Sequence, residues 1–366
     1  MIAKELYRLL QCPTCGSRDL YVTNAAVHCA TCNNEYPNHG EYLDLMPRAV
    51  EFDYVSKYVS EEAELAEELD YRELAPPLLA AGVRDRALAR LLDFKPTDIA
   101  LDNGCGTAKH AVWNAGKVGL MIGSDPATMF ADEAVIRVTL AKADSRCLPF
   151  ADNTIDKSFS IDVLEHFPRE VIDAYLAETA RVLKPGGRFL AFSNTREPSS
   201  LQPLVTASRW LGKQFVKAGV YDFEREARRK SDHIKALETW DDVLDAMHKA
   251  GLRPVKIVFW NSVFTSFVEH VVMKLGEAAL ARKQRTKDKE QGTGGLADKN
   301  TSSNSDSSAS AGTAREIRAR RRVRSYLHKR GPIYYALQAI TLVMELDLWL
   351  FGRLRSGSYF IVVEKP

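Results

Sequence analysis

Long hydrophobic runs are scarce in this chain. No segment reaches the roughly 18 uncharged apolar residues that read as a membrane span. The nearest, Ile333 to Leu354, contains Gln338, Glu345, Asp347 and Arg353, so a span is not expected. Charge of one sign is missing too. Lys and Arg number 50 against 48 Asp and Glu, and the net charge of +2 gives no overall argument for a nucleic-acid partner. The start carries Lys4, Glu5 and Arg8 and no apolar run of secretion-signal length. Cysteine is sparse: six in 366 residues, four of them within the first 32. A disulfide framework belongs to short secreted chains. Here a reducing, cytoplasmic setting is expected, in which paired cysteines hold metal. The remaining composition, 45% hydrophobic and 27% charged, is that of a globular protein with length for about two domains.

The first feature present is the cysteine pattern. Cys12-Pro-Thr-Cys15 and Cys29-Ala-Thr-Cys32 are separated by thirteen residues. Each pair suits a tight knuckle turn with both sulfurs inward, and two knuckles supply the four soft ligands that zinc takes tetrahedrally. A redox dithiol is the competing use, but it comes as one pair beside a βαβ unit. The run Asn33-Asn-Glu-Tyr36-Pro37 and the apolar stretch to Pro47 follow. Together these resemble the small zinc ribbon that begins several methyltransferases, including ribosomal RNA guanine methyltransferases.

Residues 48–82 are acidic and helix-prone, and Pro76-Pro77 closes them. They read as a helical connector. An amphipathic helix is expected from Val83 to about Phe94. Then Ile99-Ala-Leu-Asp102-Asn-Gly104-Cys105-Gly106-Thr-Ala108 reads as a buried strand, a glycine turn and a helix start. Alone, Gly-x-Gly fits an ordinary strand–helix turn or a nicotinamide site. The dinucleotide fingerprint is not met, because Lys109 stands at its third glycine. A second strand ends in Ser124-Asp125-Pro126, where a carboxylate can receive ribose hydroxyls. A third ends in Asp144-Ser145, followed by Cys147-Leu-Pro-Phe150. A fourth, Lys157 to Ile161, runs into Asp162-Val-Leu-Glu-His166-Phe-Pro168. Pro185-Gly186-Gly187 then turns into a fifth strand.

In order and spacing these segments resemble the class I S-adenosylmethionine (SAM)-dependent methyltransferases of the type 11 family. The resemblance covers about residues 83–260 and the last strand; Ala108 stands where the family has a third glycine. It implies an α/β, Rossmann-like, seven-stranded and mostly parallel sheet in the order 3-2-1-4-5-7-6, strand seven antiparallel. It also implies a SAM site on Asp102, Gly104, Cys105, Gly106, Asp125 and Pro126. Asp144 would reach the adenine amino group with Ser145 beside it, and Ile161 would lie under the methionine part. Asp144 as a turn residue is the plainer alternative.

Methyl transfer from a sulfonium needs alignment and exclusion of water more than a catalytic triad. A base matters only for an acceptor that loses a proton. His166 and His233 are the candidates, although His166 could simply pack at a helix start. Asn194 and Arg196 face the expected acceptor side. The acceptor would be a small or lipid-linked molecule. RNA is the alternative favoured by the ribbon, and a non-catalytic SAM-binding scaffold is a third.

The domains expected are a ribbon at 1–47, the connector at 48–82, and a core at 83–260 and 356–366. An insertion occupies 261–355. Within it, 284–313 is rich in Gly, Ser, Thr and Asn and reads as disordered. Residues 314–354 begin with Arg318-Ala-Arg-Arg-Arg-Val-Arg324 and become apolar and aromatic. Peripheral contact with an anionic membrane, a grip on phosphates, or packing against the domain are the three uses open to that segment.

Overall fold

The computed structural model describes residues 4–48, 72–217, 234–272 and 327–366. Most of the acidic connector, the 284–313 segment, the Arg318–Arg324 run and His233 lie outside them. The N-terminal module opens with α1 (Lys4–Leu9) and forms a small antiparallel sheet, β1 (Leu20–Val22), β2 (Ala26–Cys29) and β3 (Glu35–Pro37). A short β4 (Tyr42–Asp44) follows. After it come α2 (Leu79–Leu92), β5 (Ile99–Asn103), α3 (Lys109–Asn114), β6 (Leu120–Asp125), α4 (Asp132–Arg137) and β7 (Thr139–Lys142). The chain continues through β8 (Ile155–Ile161), α5 (Arg169–Val182), β9 (Leu183–Asn194), α6 (Gln202–Lys217) and α7 (Trp240–Lys249). It ends with β10 (Arg253–Phe259), α8 (Val263–Phe267), α9 (Pro332–Phe351) and β11 (Ser358–Glu364).

The large sheet has the order β4-β7-β6-β5-β8-β9-β11-β10. Without β4 this is the expected 3-2-1-4-5-7-6, and β11 runs antiparallel to both β9 and β10. The central strands are buried on both faces, as parallel strands covered by crossover helices must be. In β5, Leu101 enters a core with α5 and α7, while its neighbour Ala100 enters the opposite core with α2, α3 and α9. Local signals fix the helix starts. α7 begins with a capping box in which the Thr239 hydroxyl accepts from Asp242 N–H (3.2 Å) and Asp242 Oδ2 accepts from Thr239 N–H (2.8 Å).

Two features differ from expectation. The sheet has eight strands, because the ribbon's last strand has joined it. β4 pairs in parallel with β7, Leu43 opposite Ala141. The ribbon is therefore fastened to the core. Gln11 N–H donates to Pro149 O (3.0 Å), Ala151 N–H to Leu9 O (2.7 Å) and Cys147 Sγ–H to Pro13 O (3.3 Å). The physical reason is that β7 would otherwise end the sheet with unpaired backbone groups. Leu43 and Leu45 also bury their side chains in doing so. The second difference is α2, which starts at Leu79, a turn before Val83.

α9 begins with Pro332 at its first turn. Among the described residues it is the one helix long and apolar enough to cross a membrane by length and composition. One side of it is fixed to the domain. Thr341 Oγ1 accepts from Leu79 N–H (2.7 Å), and Asp347 receives Phe264 N–H and Thr265 N–H (both 2.9 Å) and Trp260 Nε1–H (3.3 Å). Asp347 thus caps α8 from another helix. The residue at α8's own cap position, Ser262, is left-handed and makes no side-chain cap bond.

Candidate functional site

The sheet places the ends of β5, β6, β7 and β8 along one edge. β5 is flanked by β6 and β8, so the strand order reverses there, where open α/β sheets leave a ligand crevice. Four turns line it.

The turn after β5 carries the glycines. Gly104 has φ +84°, and a Cβ there would lie 2.8 Å from Val163 Cγ2, so only glycine lets this turn close on the one after β8. Gly106 has φ +51°, and a Cβ on it would meet nothing within 4 Å: this side of the loop faces open space. Ala108 is also left-handed, with φ +58°. The family's third glycine answers that conformation, and here alanine adopts it against its preference.

Asp125, at the end of β6, gathers the loop. Its Oδ2 accepts from Gly106 N–H (2.8 Å) and its Oδ1 from Ala127 N–H (2.9 Å). Pro126 lies in that turn. Asp102 at the end of β5 is buried. Burial pushes its carboxyl well above the usual range, and the Asp125 charge pushes it further. Burial and the Asp125 charge thus favour the neutral acid at Asp102, and a cationic ligand beside it would favour the carboxylate.

Other predicted residues are placed less simply. Cys105 turns its sulfur toward Gly123, against the core, and burial keeps it a thiol; only its backbone belongs to the loop. Asp144 is gripped by its neighbour, with Arg146 Nη2 at 2.8 Å and Nε at 3.1 Å. The Ser145 hydroxyl points inward and donates to Asn103 Oδ1 (2.7 Å). Ile161 ends β8, half-buried.

A second cluster lies beyond the ends of β8 and β9. Asp162 is left-handed, with φ +59°, and pairs with Arg84 of α2. The Arg84 guanidinium lies 5.4 Å from the Phe192 ring centre and 5.9 Å from that of Trp260. Glu165 is 2% exposed. It accepts from Ser193 Oγ–H (2.8 Å) and Asn194 Nδ2–H (3.1 Å). Burial, then the nearby Asp162 charge, pushes its carboxyl up to about 7. His166 follows it in a half-buried 3-10 turn. Arg196 is not in this group: it is exposed and tied to Glu238 (2.8 Å) and Ile234 O (3.0 Å). Sequence reasoning gave no role to Glu165 and Arg84. Glu165 stood inside a quoted motif, whereas nothing in the sequence ties Arg84 to Asp162, 78 residues away.

In the ribbon, the four sulfurs of Cys12, Cys15, Cys29 and Cys32 lie within 4.8 Å of one another. Cys12–Cys32 and Cys15–Cys29 are each 3.6 Å apart. Zinc–sulfur bonds of about 2.3 Å give a tetrahedron edge of about 3.8 Å, so the cluster is compatible with zinc. Gly16 and Asn33, both at positive φ, close the two knuckles.

Residues 101–191 match the family described as "Methyltransferase domain". The chain carries a class I SAM-dependent methyltransferase domain. Methyltransferase GfsG of Streptomyces halstedii is 33% identical to it over 142 residues, covering 36% of this chain and 50% of the relative. The chain thus spans about half the length of that relative. The ubiquinone biosynthesis O-methyltransferase of Cereibacter sphaeroides is 24% identical over 225 residues, covering 59% and 76%. Among solved structures, phosphoethanolamine N-methyltransferase 2 of Haemonchus contortus, in complex with SAM, has a TM-score of 0.45 at 16% identity, covering 86% of this chain and 61% of that one. The glycine turn and Asp125 both lie inside the matched residues 101–191.

Proposed function

We propose that the chain moves the methyl group of SAM to an apolar, lipid-linked small molecule held beyond the ends of β8 and β9. The observation that carries this reading is the glycine turn drawn onto the Asp125 carboxylate beside a second carboxylate, Asp102. The Gly104 turn fits a ligand that must approach the backbone closely, and the two acids suit a ligand with a cationic end. SAM supplies a methyl on a sulfonium, whose departure leaves a neutral thioether. The chain's own residues bind and orient. Asp125 offers its carboxylate to ribose hydroxyls, with Pro126 shaping the turn. Asp144 offers its remaining lone pairs to the adenine amine from within its Arg146 pair.

The acceptor would lie against the ion pair of Arg84 with Asp162, behind which the rings of Phe192 and Trp260 are buried in the core. That combination suits an apolar body with a polar group at one end. Relatives named for ubiquinone biosynthesis and for sterol methylation are consistent with such an acceptor. Where the acceptor loses a proton, His166, in the turn after β8, is the candidate base; His233 lies outside the described residues. The ribbon's four thiolates hold zinc as a structural ion, since four protein ligands leave no open position.

The test is incubation of the full chain with tritiated SAM and separate lipid, soluble-metabolite and RNA fractions. Label in the lipid fraction is expected. Label in RNA instead would favour the ribbon as an RNA grip, and SAM binding with no label in any fraction would leave a scaffold.

A further inference from the structure

α9 turns its faces to opposite environments. Thr341, Met344, Asp347 and Leu348 are buried against the domain. Both acids of the helix are committed there: Asp347 caps α8, and Glu345 lies 3.7 Å from Arg86 and 3.2 Å from Arg90. The other face carries Tyr335, Leu342 and Trp349 at heptad spacing, flanked by Val343 and Leu350. All five are exposed, Trp349 by 77% and Tyr335 by 63%. The positions between them on that side, 336, 339 and 346, are Ala, Ala and Leu, so no charge interrupts the face. A water-facing helix side is ordinarily charged or polar. Here the charges point inward and the apolar residues outward.

Basic residues bracket this helix in the sequence. Lys329 and Arg330 precede the helix and Arg353 follows it. Arg318, Arg320, Arg321, Arg322 and Arg324 stand just upstream in the sequence. Beside α9, α8 packs against both it and α6, and these neighbours expose Phe267 and Trp210.

We infer that this face docks on an anionic lipid bilayer, with α9 lying in the plane of the headgroups. The bilayer supplies acyl chains for Leu342, Val343 and Leu350. It supplies the interfacial zone that Trp and Tyr favour, and phosphates for the arginines. A second copy of the chain is disfavoured as the occupant, because facing copies would bring two basic flanks together. The inference concerns where the protein sits and not which molecule it methylates; a water-soluble acceptor would leave the face unchanged.

The test is co-sedimentation of the full chain, without SAM, with vesicles of phosphatidylcholine or of equimolar phosphatidylcholine and phosphatidylglycerol. The wild type is expected to pellet with the mixed vesicles and to be released by high salt. The double variant Leu342→Glu, Trp349→Glu is expected to lose at least about tenfold in apparent affinity at an unchanged melting temperature. Ile136→Glu, an exposed apolar site on α4 (81%), should bind as the wild type does. Three results would overturn the inference: no pelleting of the wild type with the mixed vesicles, equal pelleting of the double variant, or a wild-type dimer that the double variant splits. The readout uses no methyl acceptor, so its failure is separable from failure of the transfer reading.

Discussion

Glu165→Gln should make the protein more stable in mild alkali, an unusual direction for a substitution at a buried, hydrogen-bonded side chain. Glu165 is 2% exposed and its carboxyl is raised from 4.5 to about 7, first by burial and then by Asp162. The folded protein therefore holds this proton more tightly than the unfolded chain does. The stability this gives is fully present below about pH 4.5 and is lost as the pH rises through 7. A rise of about 2.5 units corresponds to about 3 kcal/mol. Glutamine cannot titrate. It keeps an acceptor for Ser193 or Asn194 but not for both, at a cost of about 1 kcal/mol. Near pH 5 the two proteins should be within about 1 kcal/mol of each other, and near pH 8 the variant should be more stable by about 2 kcal/mol. Urea denaturation at the two pH values, with the slope checked for constancy, measures the difference. A variant that loses as much stability as the wild type between them, or is the weaker at pH 8, would refute the reasoning.

Other predictions follow from single contacts. Gly104→Ala adds a Cβ 2.8 Å from Val163 at φ +84°; it should cost about 2 kcal/mol in stability and weaken SAM binding, checked by melting and calorimetry. Ala108→Gly relieves a left-handed alanine by about 1 to 2 kcal/mol but removes a methyl buried in the core, about 0.8 kcal/mol, and should leave the stability, read from the denaturation midpoint, within about 1 kcal/mol of the wild type. Stripping the ribbon with a chelator should lower the melting temperature. It should also weaken SAM binding, because the ribbon is bonded to the 147–151 segment that follows Asp144; an unchanged affinity in metal-free protein would show the two sites to be uncoupled.

Much of this was legible in the sequence because the backbone itself writes the signal. The glycine turn and the acids at the ends of β5 and β6 are local, and each fixes a conformation in its own segment; the expected Pro-Gly-Gly turn is instead an irregularity inside β9, where the pairing with β8 shifts register. The cysteine knuckles are local in the same way. What stayed hidden depends on contacts between distant segments. β4 reads as the end of the ribbon, and only the open edge of β7 makes it an eighth strand. Asp347 looks like a charge spoiling an apolar helix, and becomes a cap only when α8 is laid beside it. Ser145 and Cys105 sit in motif positions, yet their side chains point into the core because Asn103 and Gly123 give them room. Arg196 pairs with Glu238, a contact across 42 residues that its own segment does not signal.

The central claim is that the crevice over β5 and β6 binds SAM, and calorimetric titration of SAM into the wild type and Asp125→Ala tests it most directly. Saturable binding to the wild type is expected, with at least about tenfold weaker binding, or about 1.4 kcal/mol, in a variant that still melts cooperatively, if at a lower temperature for the loss of the Gly106 and Ala127 bonds. No binding by the folded wild type, or equal affinity in both, would contradict it.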